Sequence, residues 1–257
     1  MKYPPCDGIS VVKGYFLKGD RERDDFDKDD FKTLETPGHI NSYLQRGNSE
    51  GDIVGCEHDT DTAGTMHGIV HDDGKVTRFP VSFSMNNGIN KRGEIDGFYF
   101  DLTANRAHGY LLSKSVFTLI DFPDAVNTLA WDINNRGQIV GFYEKKGGSP
   151  TGFILKNGKL TSVDIPGALA TFVYGINSAG DIVGEYDDPT TAHGFLLCNR
   201  DHADAEGCGE NAQGTTAAQG QTSKSPWVTL PENVRKLLLQ RRGFGQFGAG
   251  LVDRLER

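Results

Sequence analysis

The sequence lacks a long apolar run, and this absence sets the first limit on what the chain can be. No stretch of about 18 consecutive apolar residues occurs among its 257 residues, which predicts that there is no transmembrane helix. Residues 1–7 also lack the apolar segment of a secretory signal. We therefore expect a cytoplasmic protein as the sequence is written, or an exported one if a leader has been removed.

An excess of positive charge is also missing. The chain has 27 Lys and Arg against 35 Asp and Glu, a net charge of −8, which argues against non-specific binding to nucleic acid or to an anionic membrane. The sequence contains no Ser-His-Asp motif, no phosphate-binding loop and no paired zinc-binding motif. We therefore predict no cofactor and no metal, and a small-molecule ligand or substrate as the partner.

Cysteine is scarce, with four residues in the chain. Cys198 and Cys208 flank a short loop and can form a disulfide if the protein is exported, although two free thiols fit the sequence as well. Together with His202 they do not match the spacing of a zinc site. The segment 59–64 resembles the start of a calcium loop, but it lacks the third oxygen ligand and the distal Glu.

Helical periodicity is missing from the first 200 residues, where a repeat of about 43 residues takes its place. Four Asn-x-x-Gly turns, each followed by an Ile-x-Gly segment, begin at Asn48, Asn90, Asn134 and Asn177, with steps of 42, 44 and 43 residues. A fixed period of this size indicates a supersecondary unit that buries its apolar face against its neighbours.

Each repeat contains four short β-rich runs separated by Gly, Asn and Pro. The Asn157-Gly158 pair is a strong hairpin signal, because both central residues of a type I′ turn need a positive φ. Four strands in about 43 residues are typical of one propeller blade. The sequence therefore predicts an all-β fold, a β-propeller of four-stranded blades.

Five blades are preferred and four are the alternative. Residues 14–17 and 31–38 match the last two strands of a repeat, and residues 227–230 resemble the fourth strand that the last repeat lacks. We expect the propeller over 1–202, a flexible excursion over 203–225, and a last strand with a short C-terminal helical tail over 226–257. Residues 231–257 hold six basic and three acidic residues, so this tail can dock on the acidic propeller or form a homodimer.

The repeats resemble a bacterial family named for a His-Ala-Phe-type (HAF) signature and known as extracellular repeats. The matching segments begin at His67, His108 and His193, where a His-Gly pair precedes apolar residues. The resemblance covers roughly residues 8–200 and carries no catalytic signature. It implies a propeller-like fold, often found in exported proteins of unknown role.

Repetition separates structural residues from candidate site residues, because a site needs asymmetry. The repeated histidines are therefore interpreted as hydrogen-bonding groups between blades. A hydroxyl also stands six residues before each repeated Asn, which indicates a structural hydrogen bond, and these residues are Ser42, Ser84, Thr128 and Thr171.

The positions that break the pattern are the candidate site. Five residues before the repeated Asn stand Tyr43, Met85, Leu129 and Phe172, and three residues before it stand Gln45, Asn87, Trp131 and Tyr174. Alternate residues of a strand share a face, so these sets either form the core between blades or line an axial pocket. Two residues before the Asn, Arg46 and Asp132 replace the Gly88 and Gly175 of the other repeats.

The loops that enter the same strands also vary, and they place His39, Phe83, Asp124 and Asn127 at one rim of the axis. The sequence supports two classes of function. The first is a protein that binds a small molecule, glycan or peptide through Tyr43, Gln45, Arg46, Phe83, Met85, Asn87, Asn127, Trp131, Phe172 and Tyr174. The second is an enzyme, an isomerase, cyclase or hydrolase acting on an apolar substrate, in which His39, Asp124 and Asp132 perform acid–base catalysis.

Overall fold

The computed structural model describes residues 41–59, 66–72, 74–114 and 116–199, together with the strands at 14–17 and 31–34. The regular structure in this part of the chain consists of seventeen β-strands in five antiparallel sheets, which confirms the predicted all-β class. Within these residues there is no helix that could cross a membrane. The predicted C-terminal tail, the excursion over 203–225 and the strand over 227–230 lie outside the described residues.

Four sheets follow the repeat, and each is a meander in which consecutive strands pair. Blade 1 contains β3 (Asn41–Gly47), β4 (Ile53–His58), β5 (Met66–Asp72) and β6 (Lys75–Ser82), and blade 2 contains β7 (Ser84–Ile89), β8 (Ile95–Asp101), β9 (Arg106–Ser113) and β10 (Val116–Ile120). Blade 3 contains β11 (Ala125–Ile133), β12 (Ile139–Lys145), β13 (Thr151–Lys156) and β14 (Lys159–Val163), and blade 4 contains β15 (Ala170–Ile176), β16 (Ile182–Asp187) and β17 (Ala192–Leu197). The fifth sheet pairs β1 (Gly14–Leu17) with β2 (Phe31–Leu34).

The first strands of the four blades lie side by side around a common axis. Strand β3 contacts β7, β7 contacts β11, and β11 contacts β15. The chain is therefore a β-propeller, in which each blade buries its faces against the next blade. The number of blades in the ring stays a prediction.

The repeated asparagines connect one blade to the next. The side-chain Nδ2 of Asn48 donates to the backbone carbonyl of Asn90 at 3.3 Å, Asn90 donates to Asn134 at 3.1 Å, and Asn134 donates to Asn177 at 2.9 Å. The Oδ1 of each Asn accepts backbone amides of its own turn, such as those of residues 136 and 138 for Asn134. One side chain thus closes the turn and joins neighbouring blades.

The turns have the predicted conformation. The fourth residue of each Asn-x-x-Gly turn has a positive φ, for example 70° at Gly93 and 76° at Gly137, which glycine adopts without a steric penalty. The hairpin at Asn157-Gly158 has φ values of 52° and 74°, as a type I′ turn requires.

Three of the four hydroxyls before the repeated Asn residues have the structural role predicted for them. Ser84 accepts the amide of Gly68, Thr128 accepts the amide of Phe122, and Thr171 accepts the amide of Ile165. Each donor amide belongs to the preceding blade or to the loop that leaves it. These bonds therefore fix the entry of the first strand of each blade, which is its inner strand beside the axis.

Two of the three repeated histidines bind within their own blade, so the prediction of bonds between blades is wrong for these two. The Nδ1 of His108 lies 2.9 Å from the carboxylate of Asp121 in blade 2, and the Nε2 of His193 lies 2.7 Å from Asp188 in blade 4. Each Asp lies in the chain segment next to the strand that pairs with the His strand, which brings the two side chains together without a second blade.

Each inner strand contains a β-bulge at the residue three positions before the repeated Asn. The pairing register shifts between Leu44 and Arg46, and the equivalent shift occurs in β7, β11 and β15. Two residues of the bulged strand then oppose one residue of its partner. The residue that follows the bulge is thereby re-aimed, and in β3 and β11 this residue is Arg46 and Asp132.

Candidate functional site

Arg46 and Asp132 meet across the axis of the propeller. The Nη2 of Arg46, on blade 1, donates to Oδ2 of Asp132, on blade 3, at 3.4 Å and to the carbonyl of Tyr174, on blade 4, at 3.3 Å. The Arg46 side chain is 48% exposed and the Asp132 side chain 12%. A long contact from a half-exposed guanidinium adds little to stability, so a ligand can compete for both groups.

A cavity of about 490 Å³ opens at this pair. It lies at the end of the inner strands where the Asn turns begin. Apart from Arg46 and Asp132, its lining comes from blades 1, 2 and 4, and consists of Gly47, Ile89, Gly175, Ile176, Asn177, Asp181, Val183 and Leu196. Mixed apolar and polar walls of this volume are typical of small-molecule sites.

Glycine keeps this end of the axis open in blade 4. A Cβ at Gly175 would lie 3.0 Å from the Val183 side chain and 3.6 Å from both the Arg46 guanidinium and the Asp132 carboxylate. The small residue thus leaves room for the two charged side chains to approach each other.

The Asp132 carboxylate is well held. Its Oδ2 accepts the backbone amide of Ile176 at 3.0 Å, and its Oδ1 accepts the amide of Ile133 at 3.1 Å. Burial raises the pKa of Asp132 above its ordinary value, while the Arg46 charge and the two amides act in the opposite direction. The carboxylate is therefore fixed in direction and faces a cavity that can hold a ligand.

A second carboxyl group lies beside Asp132 and is completely buried. Asp96, on β8, has 0% exposure, and neither of its oxygens has a hydrogen-bond partner among the described residues. Burial raises the pKa of Asp96 well above its ordinary value, and the Asp132 charge raises it further, against a smaller opposing effect of Arg46. The backbone amides of Asp96 and Gly88 also lower this pKa, although neither forms a hydrogen bond of normal geometry to the carboxyl.

Asp96 occupies space that Gly88 leaves free. The two residues pair across β7 and β8. A Cβ at Gly88 would clash with Oδ1 of Asp96 and would lie 3.1 Å from Cα of Asp132. The Asp96 carboxyl is therefore directed from blade 2 toward the blade 3 residue that lines the cavity.

Asp96 could have been found from the sequence, although the repeat analysis did not select it. The Ile-x-Gly segment of each repeat has Val at the middle position in three blades, as Val54, Val140 and Val183, and Asp96 in blade 2. A charged residue at a position that is otherwise β-branched and apolar breaks a local rule, and such breaks concentrate at functional sites.

The predicted aromatic pocket is in large part packed core. Met85, Leu129 and Phe172 are buried, and with residues of β4, β8 and β12 they belong to one apolar cluster. Tyr43, Phe83, Trp131 and Tyr174 pack against this cluster and are only partly buried. The rings of Trp131 and Tyr174 lie 5.5 Å apart, directly before the cavity residues Asp132 and Gly175 in the chain.

The two amide residues of the predicted site have structural bonds. Asn87 is buried and donates to the carbonyl of Ala130 at 2.8 Å, while its Oδ1 has no partner among the described residues. Asn127 accepts the amide of Ala107 at 2.9 Å and donates to Glu144 at 3.3 Å. Gln45, the bulged residue of β3, is exposed.

Two of the predicted catalytic residues, Asp124 and Asp132, lie far apart. Asp124 is exposed in the turn before β11, with a φ of 60°, whereas Asp132 lies near the other end of that strand. At about 3.3 Å per residue their Cα atoms are roughly 25 Å apart. The two side chains therefore cannot meet in one site. Phe83, in the turn before β7, belongs to the same rim as Asp124, and His39 lies outside the described residues.

No group of three or more His, Cys, Asp or Glu side chains in the described ranges is arranged to hold a metal ion. Among these residues Cys56 is a free, buried thiol and Cys198 is disulfide-bonded. The predicted partner of Cys198, Cys208, lies outside the described ranges, so the Cys198–Cys208 pairing stays a prediction.

No protein-family model and no curated protein sequence matches the chain. Solved structures do resemble it. The β-propeller domain of the trilobed protease from Pyrococcus furiosus is 13% identical, with a TM-score of 0.41 over 60% of this chain and 48% of that chain. Dipeptidyl peptidase 4 from Porphyromonas gingivalis is 10% identical, with a TM-score of 0.46 over 66% of this chain and 26% of that chain.

A third structure is the six-bladed, fucose-recognising lectin of Aleuria aurantia. It is 14% identical, with a TM-score of 0.41 over 67% of this chain and 65% of that chain. This chain thus spans less than two thirds of the length of each of these proteins.

Proposed function

We propose that the protein binds a small molecule, or the end of a glycan or peptide, in the axial cavity between Arg46 and Asp132. The observation that carries this proposal is that one guanidinium and one carboxylate from different blades converge on a 490 Å³ cavity. Ligand sites typically place a few polar groups among apolar walls. Here Ile89, Val183 and Leu196 supply the apolar part.

The repeat supports the same proposal. Arg46 and Asp132 stand where the other two blades have glycine, so the propeller does not need a charge at this position. The resemblance to the HAF-type repeats, itself a proposal, adds a propeller scaffold but no ligand, because function depends on the residues placed on a fold.

The test is capture of a ligand followed by native mass spectrometry. The purified protein is exposed to a metabolite extract and to a glycan array, in parallel with Arg46→Ala and Asp132→Asn. Arg92→Ala is the matched control, because Arg92 is similarly exposed at 44%, forms an ion pair with Glu94 and does not line the cavity. We expect the wild type and Arg92→Ala to retain a ligand that Arg46→Ala and Asp132→Asn lose. Equal ligand retention by all four proteins would show that the cavity is not the binding site.

An acid–base enzyme is the second candidate, and one observation favours it. Two carboxyl groups, Asp96 and Asp132, are adjacent and both have a raised pKa, which is a feature of catalytic carboxylate pairs. Asp96 would then replace His39 and Asp124 in the predicted catalytic set. Prolonged incubation of a captured ligand with the wild type distinguishes the candidates, since an enzyme converts it to a product of different mass or retention time.

A further inference from the structure

Three observations set the charge that a ligand meets at the axial cavity. Its wall holds one cation, Arg46, and two carboxylates, Asp132 and Asp181. Asp96 lies behind Asp132 as a third acidic group with 0% exposure. The cavity is thus net acidic before Asp96 is counted, in a chain of net charge −8, and this favours a cationic ligand over an anionic one.

The buried Asp96 carboxyl, without a hydrogen-bond partner, destabilises the folded protein. An unpartnered buried polar group opposes folding, and the other three blades avoid this cost by placing Val at the same position. The space opposite it accepts Val as well, because blade 4 pairs Val183 with Gly175 just as blade 2 pairs Asp96 with Gly88. A residue that the repeat does not need, and that destabilises the fold, is best explained by a role at the cavity beside it.

We infer that the axial cavity accepts a ligand carrying a protonated amine, and that Asp96 releases its proton when this amine binds beside Asp132. The inference rests on the proposed function, whose ligand class it narrows. Without ligand, Asp96 is neutral and the Asp132 carboxylate faces the single cation Arg46. With ligand, the ammonium group and Arg46 face two carboxylates.

The charges balance in this exchange. The ammonium group keeps its three protons and donates hydrogen bonds to Asp132, no covalent bond is formed or broken in the ligand, and the Asp96 proton passes to solvent. The charged or titratable groups that act on Asp96 from neighbouring strands are Asp132 on β11 and Arg46 on β3. Tyr110 on β9 also lies near, and burial together with Asp96 raises the pKa of its hydroxyl. Of these strands, only β3 provides a cation, so an added positive charge is what allows Asp96 to ionise.

The probe is Nα-acetyl-lysine methylamide, whose side-chain amine stays protonated across the working pH range. Its Nε-acetylated form is the uncharged control. Binding is measured by calorimetry between pH 5 and pH 7 in two buffers of different ionisation enthalpy, which gives the number of protons exchanged. The proteins are the wild type, Asp96→Asn, Asp96→Val and Asp132→Asn, and Asp96→Val keeps the test valid if the buried amide of Asp96→Asn impairs folding.

We expect the wild type to bind the lysine probe with release of about one proton, and its affinity to rise with pH by up to about tenfold per unit. Asp96→Asn and Asp96→Val should bind more weakly at pH 7, without pH dependence or proton release. Asp132→Asn and the acetylated probe should show no binding. Binding of the lysine probe without proton release, or equal binding of both probes, would overturn the inference.

Failure of the inference is distinguishable from failure of the proposed function. If neither probe binds while the wild type still retains an extract ligand that Arg46→Ala loses, the cavity binds a ligand of another class and only the inference is refuted. If no probe binds and no ligand is retained, both are refuted.

Discussion

The side-chain amide of Asn90 donates a hydrogen bond to the backbone carbonyl of Asn134, the equivalent residue of the next blade, 44 residues later in the chain. The same bond joins Asn48 to Asn90 and Asn134 to Asn177. The repeat in the sequence is therefore also a contact pattern in the structure, since the residue that marks each repeat binds its own counterpart.

Asn134→Ala should destabilise the protein by about 2–4 kcal/mol, because it removes the bond to blade 4 and leaves the buried turn amide of Gln138 without its acceptor. Denaturant unfolding followed by circular dichroism measures this. Ser49→Ala is the control, since Ser49 lies exposed in the equivalent turn of blade 1 and should change stability by no more than about 0.5 kcal/mol. Similar small effects for both variants would refute a role in stability for the asparagine bonds between blades.

Asp96→Val should stabilise the protein, and the gain should grow with pH. Burial raises the pKa of Asp96 in the folded state, so above its ordinary pKa near 4 the unfolded chain is ionised while the folded chain keeps its proton. Unfolding then releases a proton, and the stability of the wild type falls as pH rises toward the folded pKa. We expect a gain of roughly 1–3 kcal/mol at pH 7 and a smaller one at pH 4.

Thermal and denaturant unfolding at both pH values measures this difference. Asp96→Asn is the matched variant, since it removes the ionisable group but keeps a buried polar side chain, and it should share the pH behaviour of Asp96→Val with a smaller gain. Parallel pH profiles for the wild type and Asp96→Val would contradict the prediction.

Trp131→Ala should abolish ligand binding while unfolding stays cooperative. Trp131 is only partly buried, and its ring packs 5.6 Å from Phe142 and 5.5 Å from Tyr174, so its loss leaves the buried apolar cluster in place. Equilibrium binding of the captured ligand and denaturant unfolding measure the two effects. Trp131→Phe retains an aromatic ring and should keep part of the affinity, and unchanged affinity in Trp131→Ala would remove Trp131 from the site.

Cys56 should resist alkylation in the native protein. It is fully buried, and burial together with the Glu57 charge raises the pKa of its thiol, which suppresses the thiolate that reacts. Iodoacetamide labelling followed by peptide mass spectrometry should show Cys56 unmodified until denaturant is added. Rapid labelling under native conditions would show that blade 1 opens frequently.

Peptide mapping without reductant tests the disulfide. Cys198 is disulfide-bonded, and we predict Cys208 as its partner because a loop of only nine residues separates them in the sequence. A linked peptide containing both residues is the expected product. Linkage of Cys198 to another cysteine would show that the bond closes a longer loop.

Structural features that depend on a single turn or strand could be predicted from the sequence. The left-handed glycine at Gly137 and the hairpin at Asn157-Gly158 follow from local steric rules, and four β-rich runs per repeat predict a blade. Arg46 and Asp132 were each selected because a charge replaces the glycine of the other repeats. Their convergence was not predicted, because Arg46 reaches from blade 1 to blade 3, and this distance depends on the ring as a whole.

Other features needed the pairing of strands. The bulge at Gln45 could not be predicted from the sequence, because it is a shift in the pairing register between β3 and β4 and not a property of β3 alone. The bond between His108 and Asp121 depends on the register of β9 with β10. The separation of Asp124 from Asp132 required the length of β11. The sequence placed Asp124 in the loop before the strand and Asp132 within it, but it did not show that the strand runs over nine residues.

The bulge repeated in every inner strand re-aims one side chain in each blade, that of the residue directly after the bulge. Two blades leave this position as glycine, and the other two fill it with a guanidinium and a carboxylate. Substitutions at these four places change the chemistry of the axis while strand pairing is preserved. Single codon changes at these four equivalent positions can therefore alter charge and size at the axis while the scaffold is inherited intact.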